Sequence, residues 1–204
     1  MKSSRLRLYL VTDSVPNIVD IVKDAAQGGV TMVQLREKAL DTRRFIERAI
    51  RLKQVLEPYG IPLIINDRVD VALASNADGV HIGQSDMPYD MARAILGPDK
   101  IIGLSVENQE QVVQANGLDV DYIGVSPVFA TPTKTDTAAP FGLEGLREAV
   151  RMSLHPTVAI GGIKEENAAE VISTGTDGIA VVSAIVYSDS PADAARRLAE
   201  TIGL

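Results

Sequence analysis

Residues of the kinds that bind anions and metal ions, through polar side chains or through glycine N–H groups, follow almost every short apolar run of this chain. The residues that share this position are Arg36 and Lys38 after VQL, Asn66 and Asp67 after PLII, Asp86 after GVHI, Ser105 after IIGL, Gly161 and Gly162 after TVAI, and Ser183 after GIAVV. A (β/α)8 barrel collects its active site from the C-terminal ends of its strands. The repeated order of apolar run and polar cluster therefore predicts one shared site at the strand ends.

The segment Gln34–Lys38 carries two cations close together. In an extended conformation Gln34, Arg36 and Lys38 alternate onto one side, and Leu35 and Glu37 face the other. Arg binds phosphate oxygens in a bidentate fork and Lys acts as a point charge, so the pair suits a phosphate or pyrophosphate. A solvated, charged loop is the alternative, and these residues alone leave both interpretations open.

Two carboxylates, Asp67 and Asp86, end consecutive predicted strands, and Asn66 adds a neutral polar group beside them. Mg²⁺ is typically held by one or two carboxylates together with water and substrate phosphates. Each aspartate is equally suited to capping a following helix, Asp86 just before Met87-Pro88. A general acid–base pair for hydrolysis is a third option, but nothing in the sequence indicates a sugar site.

Two further segments suit anion binding. Gly161-Gly162 after the seventh run and Ser183 after the eighth occupy the positions where barrels commonly bind phosphate, although a glycine pair also makes an ordinary tight turn. The long connection 126–142 contains Thr131-Pro132-Thr133-Lys134, which can close over an anionic ligand. His81 lies inside a strand and His155 in a polar loop, and we assign neither a catalytic role.

The composition is that of one compact domain spanning 1–204. The chain has 204 residues, 46% of them apolar, no cysteine and a net charge of −7. Such a charge argues against nonspecific binding to nucleic acid or to an anionic membrane. The sequence contains no signal-peptide pattern and no apolar stretch of membrane-spanning length, so we expect a cytoplasmic protein, and a homo-oligomer is left open.

Eight apolar runs alternate with amphipathic stretches. The predicted strands are 7–11, 31–35, 62–65, 78–82, 100–104, 120–125, 156–160 and 178–182, and the predicted helices are 16–27, 42–56, 69–75, 88–96, 107–116, 143–151, 165–174 and 191–202. Continuous apolar strands are typical of sheets buried on both faces. The alternation predicts an α/β fold, a (β/α)8 TIM barrel. An open doubly wound sheet is the alternative, but the first turn lacks GxGxxG and the strand count reaches eight.

Taken together, the motifs resemble the thiamine phosphate synthase family over nearly the whole chain. The motifs are QLREK at 34–38, ND at 66–67, HIGQSD at 81–86, GLS at 103–105, PVFATPTKTD at 127–136, GGI at 161–163 and VSAI at 182–185. The resemblance implies a TIM barrel that joins a hydroxymethylpyrimidine diphosphate to a thiazole phosphate. In this family pyrophosphate leaves first, and the thiazole nitrogen traps the resulting pyrimidine methylene cation.

The resemblance also implies a role for each matching residue. Those expected to bind the pyrimidine diphosphate are Gln34, Leu35, Arg36, Glu37, Lys38, Asn66, Ser105 and Lys134, with Arg36, Lys38, Ser105 and Lys134 assisting catalysis. Those expected to bind the thiazole phosphate are Thr131, Pro132, Thr133, Gly162, Val182 and Ser183. Asp67 and Asp86 are expected to hold Mg²⁺.

Three positions depart from the family pattern: Glu107, Ser126 and Phe141. They leave the packing of the 126–142 connection open. A related thiazole tautomerase uses a histidine two residues after the serine of the fifth strand, where this chain has Glu107. A barrel that binds phosphate ligands without catalysis is the other alternative, and the intact set of diphosphate and metal residues counts against both.

Overall fold

Eight parallel strands close into a barrel. The computed structural model describes residues 3–130 and 139–204. Neighbouring strands hydrogen-bond in sequence order, and the last pairs with the first. The strands are β1 Leu8–Val11, β2 Met32–Leu35, β3 Leu63–Asn66, β4 Gly79–Ile82, β5 Ile101–Val106, β6 Tyr122–Val125, β7 Thr157–Ile160 and β8 Gly178–Val181. The predicted (β/α)8 barrel is confirmed.

Helices connect the strands around the outside. They are α1 Ile18–Gln27, α2 Thr42–Leu56, α3 Val69–Ala74, α4 Tyr89–Leu96, α5 Gln109–Ala115, α6 Gly142–Met152, α7 Glu165–Ile172, α8 Ser183–Val186 and α9 Pro191–Thr201, with 3-10 turns at Ser3–Leu6 and Glu57–Tyr59. Predicted ends agree with the observed ones to within two residues, except that α8 was not predicted as a separate helix. Within the two described ranges, no helix is long and apolar enough to cross a membrane.

Helix α2 shows why the local sequence fixes an element so closely. The Asp41 carboxylate accepts a hydrogen bond from the Arg44 N–H at 3.0 Å, which caps the first turn. Phe45, Ala49 and Leu52 then recur at helical spacing and are buried against the barrel. The cap and the apolar stripe together account for the agreement between predicted and observed bounds.

The strands separate two apolar layers. Outward-facing side chains such as Leu10, Val33 and Ile65 pack against the helices. Inward-facing side chains fill the barrel, among them Tyr9, Met32, Ile64, Tyr122 and Val158. Because both faces are buried, nearly every strand position must be large and apolar, which explains the continuous runs.

A repeated hydrogen bond ties the strands together at their N-terminal ends. The residue just before each even-numbered strand accepts a hydrogen bond from the first or second N–H of the odd-numbered strand before it. The pairs are Thr31 with Leu8, Asp78 with Leu63, Asp121 with Ile102, and Asp177 with Thr157, at 2.9–3.0 Å. These bonds stabilise the N-terminal end of the barrel, which leaves the C-terminal end available for a site.

Candidate active site

A cavity of about 800 Å³ opens at the C-terminal ends of the strands. Ten of the predicted site residues line it: Gln34, Arg36, Lys38, Asn66, Asp67, Asp86, Ser105, Gly162, Val182 and Ser183. Thr131, Pro132, Thr133 and Lys134, which were also predicted to bind substrate, lie outside the described residues. The strand-end clusters therefore form one site, as the sequence order predicted.

Side chains alternate in direction over residues 34–38 as expected, although β2 itself ends at Leu35. Gln34, Arg36 and Lys38 face the cavity, and the buried Thr12 fixes the turn, because its hydroxyl accepts a hydrogen bond from the Arg36 N–H at 3.0 Å. This arrangement presents two cations and an amide to the same space.

The side chains of Leu35 and Glu37 face away from the cavity. Leu35 is fully buried in the layer between strands and helices. The Glu37 side chain is 1% exposed, forms an ion pair with Arg48 of α2 and accepts a hydrogen bond from the Ser14 hydroxyl at 2.8 Å. Both side chains point away from the cavity, so the predicted contact of these two residues with the pyrimidine diphosphate stays a prediction that their backbone atoms would have to make. Glu37 instead anchors the loop that carries the two cations.

Asp67 and Asp86 do not cap the helices that follow them. The N-cap residues of α3 and α4 are Arg68 and Pro88. Asp67 adopts a left-handed backbone conformation with φ of 63°, and its carboxylate accepts a hydrogen bond from the Lys38 ammonium at 2.7 Å. A non-glycine residue held in this region is strained, and such strain is concentrated at functional sites.

The two carboxylates face each other closely enough to interact. Burial raises the pKa of Asp86, and a side-chain hydrogen bond with Asp67 and the charge of Asp67 raise it further, against the lowering effects of the Gly83 N–H and Lys38. The Gly83 N–H donates to the Asp86 carboxylate at 2.7 Å and holds it in place. Like charges brought this close favour a bound cation.

The donor set fits Mg²⁺ that is shared with a ligand. Among the described residues, no group of three or more His, Asp or Glu side chains could hold a metal ion. Two carboxylates beside Asn66 leave most coordination positions for water and phosphate oxygens, which is the usual way in which proteins hold Mg²⁺. Oxygen-only donors also match the preference of this ion.

The opposite wall is built by the ends of β7 and β8. Gly161 and Gly162 have φ of 107° and 67°, and a Cβ atom on either would come within 2.8 Å of Pro127 or Phe129. The glycines therefore allow residues 127–130 to pack on this turn. The short helix α8 begins at Ser183, as expected for a barrel phosphate site.

Two residues that the sequence reasoning did not single out also line this wall. Lys164 follows the glycine turn and adds a cation to the cavity lining. The Asn167 amide donates to the Gly162 carbonyl at 3.0 Å and its oxygen accepts from the Lys164 N–H at 2.8 Å, which holds the turn against α7. The letters GGIK carried the signal, since a lysine two residues after the glycines adds a positive charge beside a turn whose backbone N–H groups can approach an anion.

The floor of the cavity is a chain of neutral polar side chains: Gln34, Tyr9, Tyr122, His81 and Ser105. Burial lowers the pKa of His81 to about 4, against a smaller opposing effect of the Asp67 charge. Burial likewise raises the pKa of Tyr9 and of Tyr122 well above the usual value. All three side chains are therefore neutral near pH 7. Sequence reasoning missed them because each lies inside an apolar strand.

The two polar walls lie on opposite sides of the mouth. In the closed barrel β3 and β7 are four strands apart, which is the largest separation that eight strands allow. Arg36, Lys38 and the two aspartates belong to the β2–β4 side, while Gly162 and Ser183 belong to the β7–β8 side. The cavity can thus receive two anionic groups at the same time, with a neutral floor between them.

A TIM barrel with two polar walls on opposite sides of one cavity is typical of enzymes that act on phosphorylated small molecules. Within that class the comparisons with known proteins are specific. The family model described as thiamine monophosphate synthase matches residues 8–185, and the chain belongs to this family.

Individual relatives agree with the family assignment. The chain is 57% identical over 201 residues to a thiamine-phosphate synthase from Albidiferax ferrireducens, covering 97% of this chain and 92% of the relative. It is 54% identical over 195 residues to one from Vibrio parahaemolyticus, covering 94% and 96%. A solved structure, the thiamine phosphate pyrophosphorylase from Pyrococcus furiosus, superposes with a TM-score of 0.92 at 40% identity, over 98% of this chain and 97% of that one.

Proposed function

We propose that this chain condenses 4-amino-2-methyl-5-hydroxymethylpyrimidine diphosphate with a thiazole phosphate to give thiamine phosphate and pyrophosphate. The observation that carries the proposal is the pair of polar walls, one at β2–β4 and one at β7–β8, on opposite sides of one cavity. A reaction between two phosphorylated substrates requires such a pair. The names of the relatives supply the product, thiamine phosphate, and the family resemblance implies the two substrates.

The β2–β4 wall receives the pyrimidine diphosphate. Arg36 and Lys38 offer their charges to the diphosphate, whose negative charge grows as it leaves. Gln34 and Ser105 belong to the floor of the cavity, and together with Asn66 they would bind the pyrimidine ring. Lys134, outside the described residues, is proposed to meet the same diphosphate.

Asp67 and Asp86 would hold Mg²⁺ on this wall. When bound, the ion neutralises charge on the departing diphosphate. The Lys38–Asp67 ion pair keeps one carboxylate neutralised in the free site. Lys38 is then free to turn to the diphosphate when Asp67 takes up a cation.

The β7–β8 wall receives the thiazole phosphate through Gly162, Val182 and Ser183, with Thr131, Pro132 and Thr133 proposed to complete it. Binding there points the thiazole nitrogen toward the centre of the cavity. The bond between the pyrimidine methylene carbon and the diphosphate oxygen breaks, and the electron pair leaves with pyrophosphate. The lone pair of the thiazole nitrogen then forms the new carbon–nitrogen bond.

The test incubates the purified chain with both substrates and Mg²⁺ and measures pyrophosphate and thiamine phosphate separately. We expect equal amounts of both products, and none when either substrate is omitted. Asp67→Asn should suppress both, whereas Asp70→Asn should not, because Asp70 pairs with Arg68 on the surface outside the cavity.

The alternatives give different results in the same assay. Isomerisation of the thiazole phosphate without consumption of the pyrimidine diphosphate would indicate the tautomerase. Binding of both ligands without any product would indicate a barrel that only binds phosphate ligands. Either outcome would overturn the proposal.

A further inference from the structure

We propose that Tyr9, Tyr122 and His81 form a one-way chain of hydrogen bonds that fixes how the two ends of the cavity floor meet the pyrimidine ring. This chain of hydrogen bonds makes the Ser105 hydroxyl a donor toward the ligand and leaves the Gln34 amide oxygen as an acceptor. The three residues are then positioning residues for the reaction, and their kinetic role rests on the proposed function.

The contacts are continuous across the barrel. The Gln34 Nε2 donates to the Tyr9 hydroxyl at 2.9 Å, and the Tyr9 and Tyr122 hydroxyls are 2.9 Å apart. The Tyr122 hydroxyl lies 3.0 Å from His81 Nδ1, and His81 Nε2 lies 2.8 Å from the Ser105 hydroxyl. Five side chains from β1, β2, β4, β5 and β6 therefore form one path.

The direction of this path follows from the donors available. Because the Gln34 amide nitrogen can only donate, the Tyr9 hydroxyl accepts from it. Among the described residues the other partner of this buried hydroxyl is Tyr122, so we take the Tyr9 hydrogen to be donated there. Tyr122 in turn donates to His81 Nδ1. A neutral imidazole that accepts at Nδ1 carries its hydrogen at Nε2, so His81 donates to Ser105.

Packing leaves these groups little freedom to rearrange. A Cβ atom on Gly103 would lie 2.2 Å from Tyr122 Cζ and 2.5 Å from His81 Nδ1. The His81 and Tyr122 rings are in contact, with centroids 5.5 Å apart, and Tyr122 is fully buried. The glycine therefore creates the space in which the tyrosine hydroxyl meets the imidazole, and the bond between them cannot easily be exchanged for another.

The chain of hydrogen bonds determines which donor and which acceptor the floor of the cavity presents to a ligand. Ser105 accepts from His81, so its hydroxyl hydrogen is left for the cavity. Gln34 uses one amide hydrogen on Tyr9, and its oxygen remains an acceptor. An aminopyrimidine presents an amino group, which donates, next to ring nitrogens, which accept. A floor with one fixed acceptor and one fixed donor matches that ring, and a mismatch leaves polar groups unpaired.

The first measurement is the tautomer of His81 in the free protein, read from ¹⁵N chemical shifts of the imidazole. The chain has two histidines, and His155→Gln assigns them. His155 serves as a reference, because its Nε2 lies 3.0 Å from the Ala115 carbonyl, which can only accept. We expect the Nε2–H form for His81. The Nδ1 chemical shift should be that of a nitrogen that accepts a hydrogen bond, and in Tyr122→Phe it should change to that of a nitrogen without one. An Nδ1–H form would overturn the proposal.

The second measurement is a double-mutant cycle on the kinetics. Tyr122→Phe should raise the KM for the pyrimidine diphosphate about tenfold, the size expected for loss of one directed hydrogen bond, with a smaller change in kcat. In Ser105→Ala the same substitution should have little further effect, because Tyr122 acts through Ser105. Fully additive effects would show a merely structural role and overturn the proposal.

Controls separate this proposal from folding and from the proposed function. Tyr89→Phe removes a hydroxyl that donates to the Asp119 carbonyl at 2.7 Å outside the cavity and should leave the KM unchanged. If Tyr122→Phe does not fold, Tyr9→Phe interrupts the same path and takes its place in the cycle. The tautomer is measured without substrate, so it tests the direction of the hydrogen bonds even if the wild-type protein releases no pyrophosphate. Absence of pyrophosphate release would contradict only the proposed function.

Discussion

His81 should make the stability of this protein depend on pH in a defined window. Burial lowers its pKa from 6.5 to about 4, so between these values the unfolded chain binds a proton that the folded chain does not. The stability contributed by the neutral ring is therefore present above pH 6.5 and is lost as the pH falls toward 4. The full window corresponds to about 3 kcal/mol, and the step from about pH 7 to about pH 5 to about 2 kcal/mol.

The measurement is urea unfolding at those two pH values for the wild type and for His81→Gln. Carboxylates, among them Asp86 with its raised pKa, contribute their own pH dependence, but they do so in both proteins and cancel in the difference between the two pH dependences. We expect the wild type to lose about 2 kcal/mol more than His81→Gln on acidification. His155→Gln, which removes the other histidine, is the matched control and should retain the wild-type slope.

Equal slopes in the wild type and in His81→Gln would refute the reasoning. They would mean that the ring is protonated in the folded protein near pH 5, and the neutral floor of the cavity would have to be abandoned. The experiment is made without Mg²⁺, so that no metal linkage contributes to the slope.

Three further substitutions test the two walls. Asp67→Asn should lower the rate of pyrophosphate release about 100-fold or more, because it removes a carboxylate from the proposed Mg²⁺ site. Ser183→Ala should raise the KM for the thiazole phosphate about tenfold, the value of one hydrogen bond to a charged group, and leave the KM for the pyrimidine diphosphate unchanged. Lys38→Ala should weaken pyrimidine diphosphate binding, yet tighten Mn²⁺ binding to the free protein by up to about fivefold, because the partly exposed Lys38–Asp67 pair no longer competes.

Each of these results has a control and a contradicting outcome. A near wild-type rate for Asp67→Asn at low Mg²⁺ would remove Asp67 from the metal site. If Ser183→Ala raised only the KM for the pyrimidine diphosphate, the assignment of the thiazole phosphate to the β7–β8 wall would be contradicted. For Lys38, the control is Lys53→Ala, which breaks the 3.2 Å pair with Asp78 at the other end of the barrel, and weaker Mn²⁺ binding in Lys38→Ala would contradict the competition.

The rim of the site was predictable from the sequence because its position depends on local order. A polar residue that follows an apolar strand must emerge at the C-terminal face, whatever the register of the barrel. Arg36, Asp67 and Ser183 were located by that rule alone. The alternation of side chains also predicted the direction of the Glu37 side chain. Its partner Arg48 lies on α2, and no local pattern predicts that contact.

The floor of the site was not predictable in the same way. In strands buried on both faces, the apolar pattern does not distinguish the side that faces the barrel axis from the side that faces the helices. Tyr9 and Tyr122 are 113 positions apart, and their hydroxyls meet only because of the register of the closed sheet. The sequence analysis assigned His81 no catalytic role because it lies inside a strand, although its ring lines the cavity.

The separation of charge between rim and floor fits the chemistry proposed for the site. Arg36, Lys38, Asp67 and Asp86 place ionised groups at the mouth, where the diphosphate and its counter-ion belong. The floor beneath the pyrimidine holds hydroxyls, an amide and an imidazole that burial keeps neutral. Positive charge that develops on the pyrimidine methylene would be repelled by an imidazolium at this depth, where interactions between charges are strong. The same burial that costs the protein stability below pH 6.5 thus removes a cation from the place where the reaction is proposed to create one.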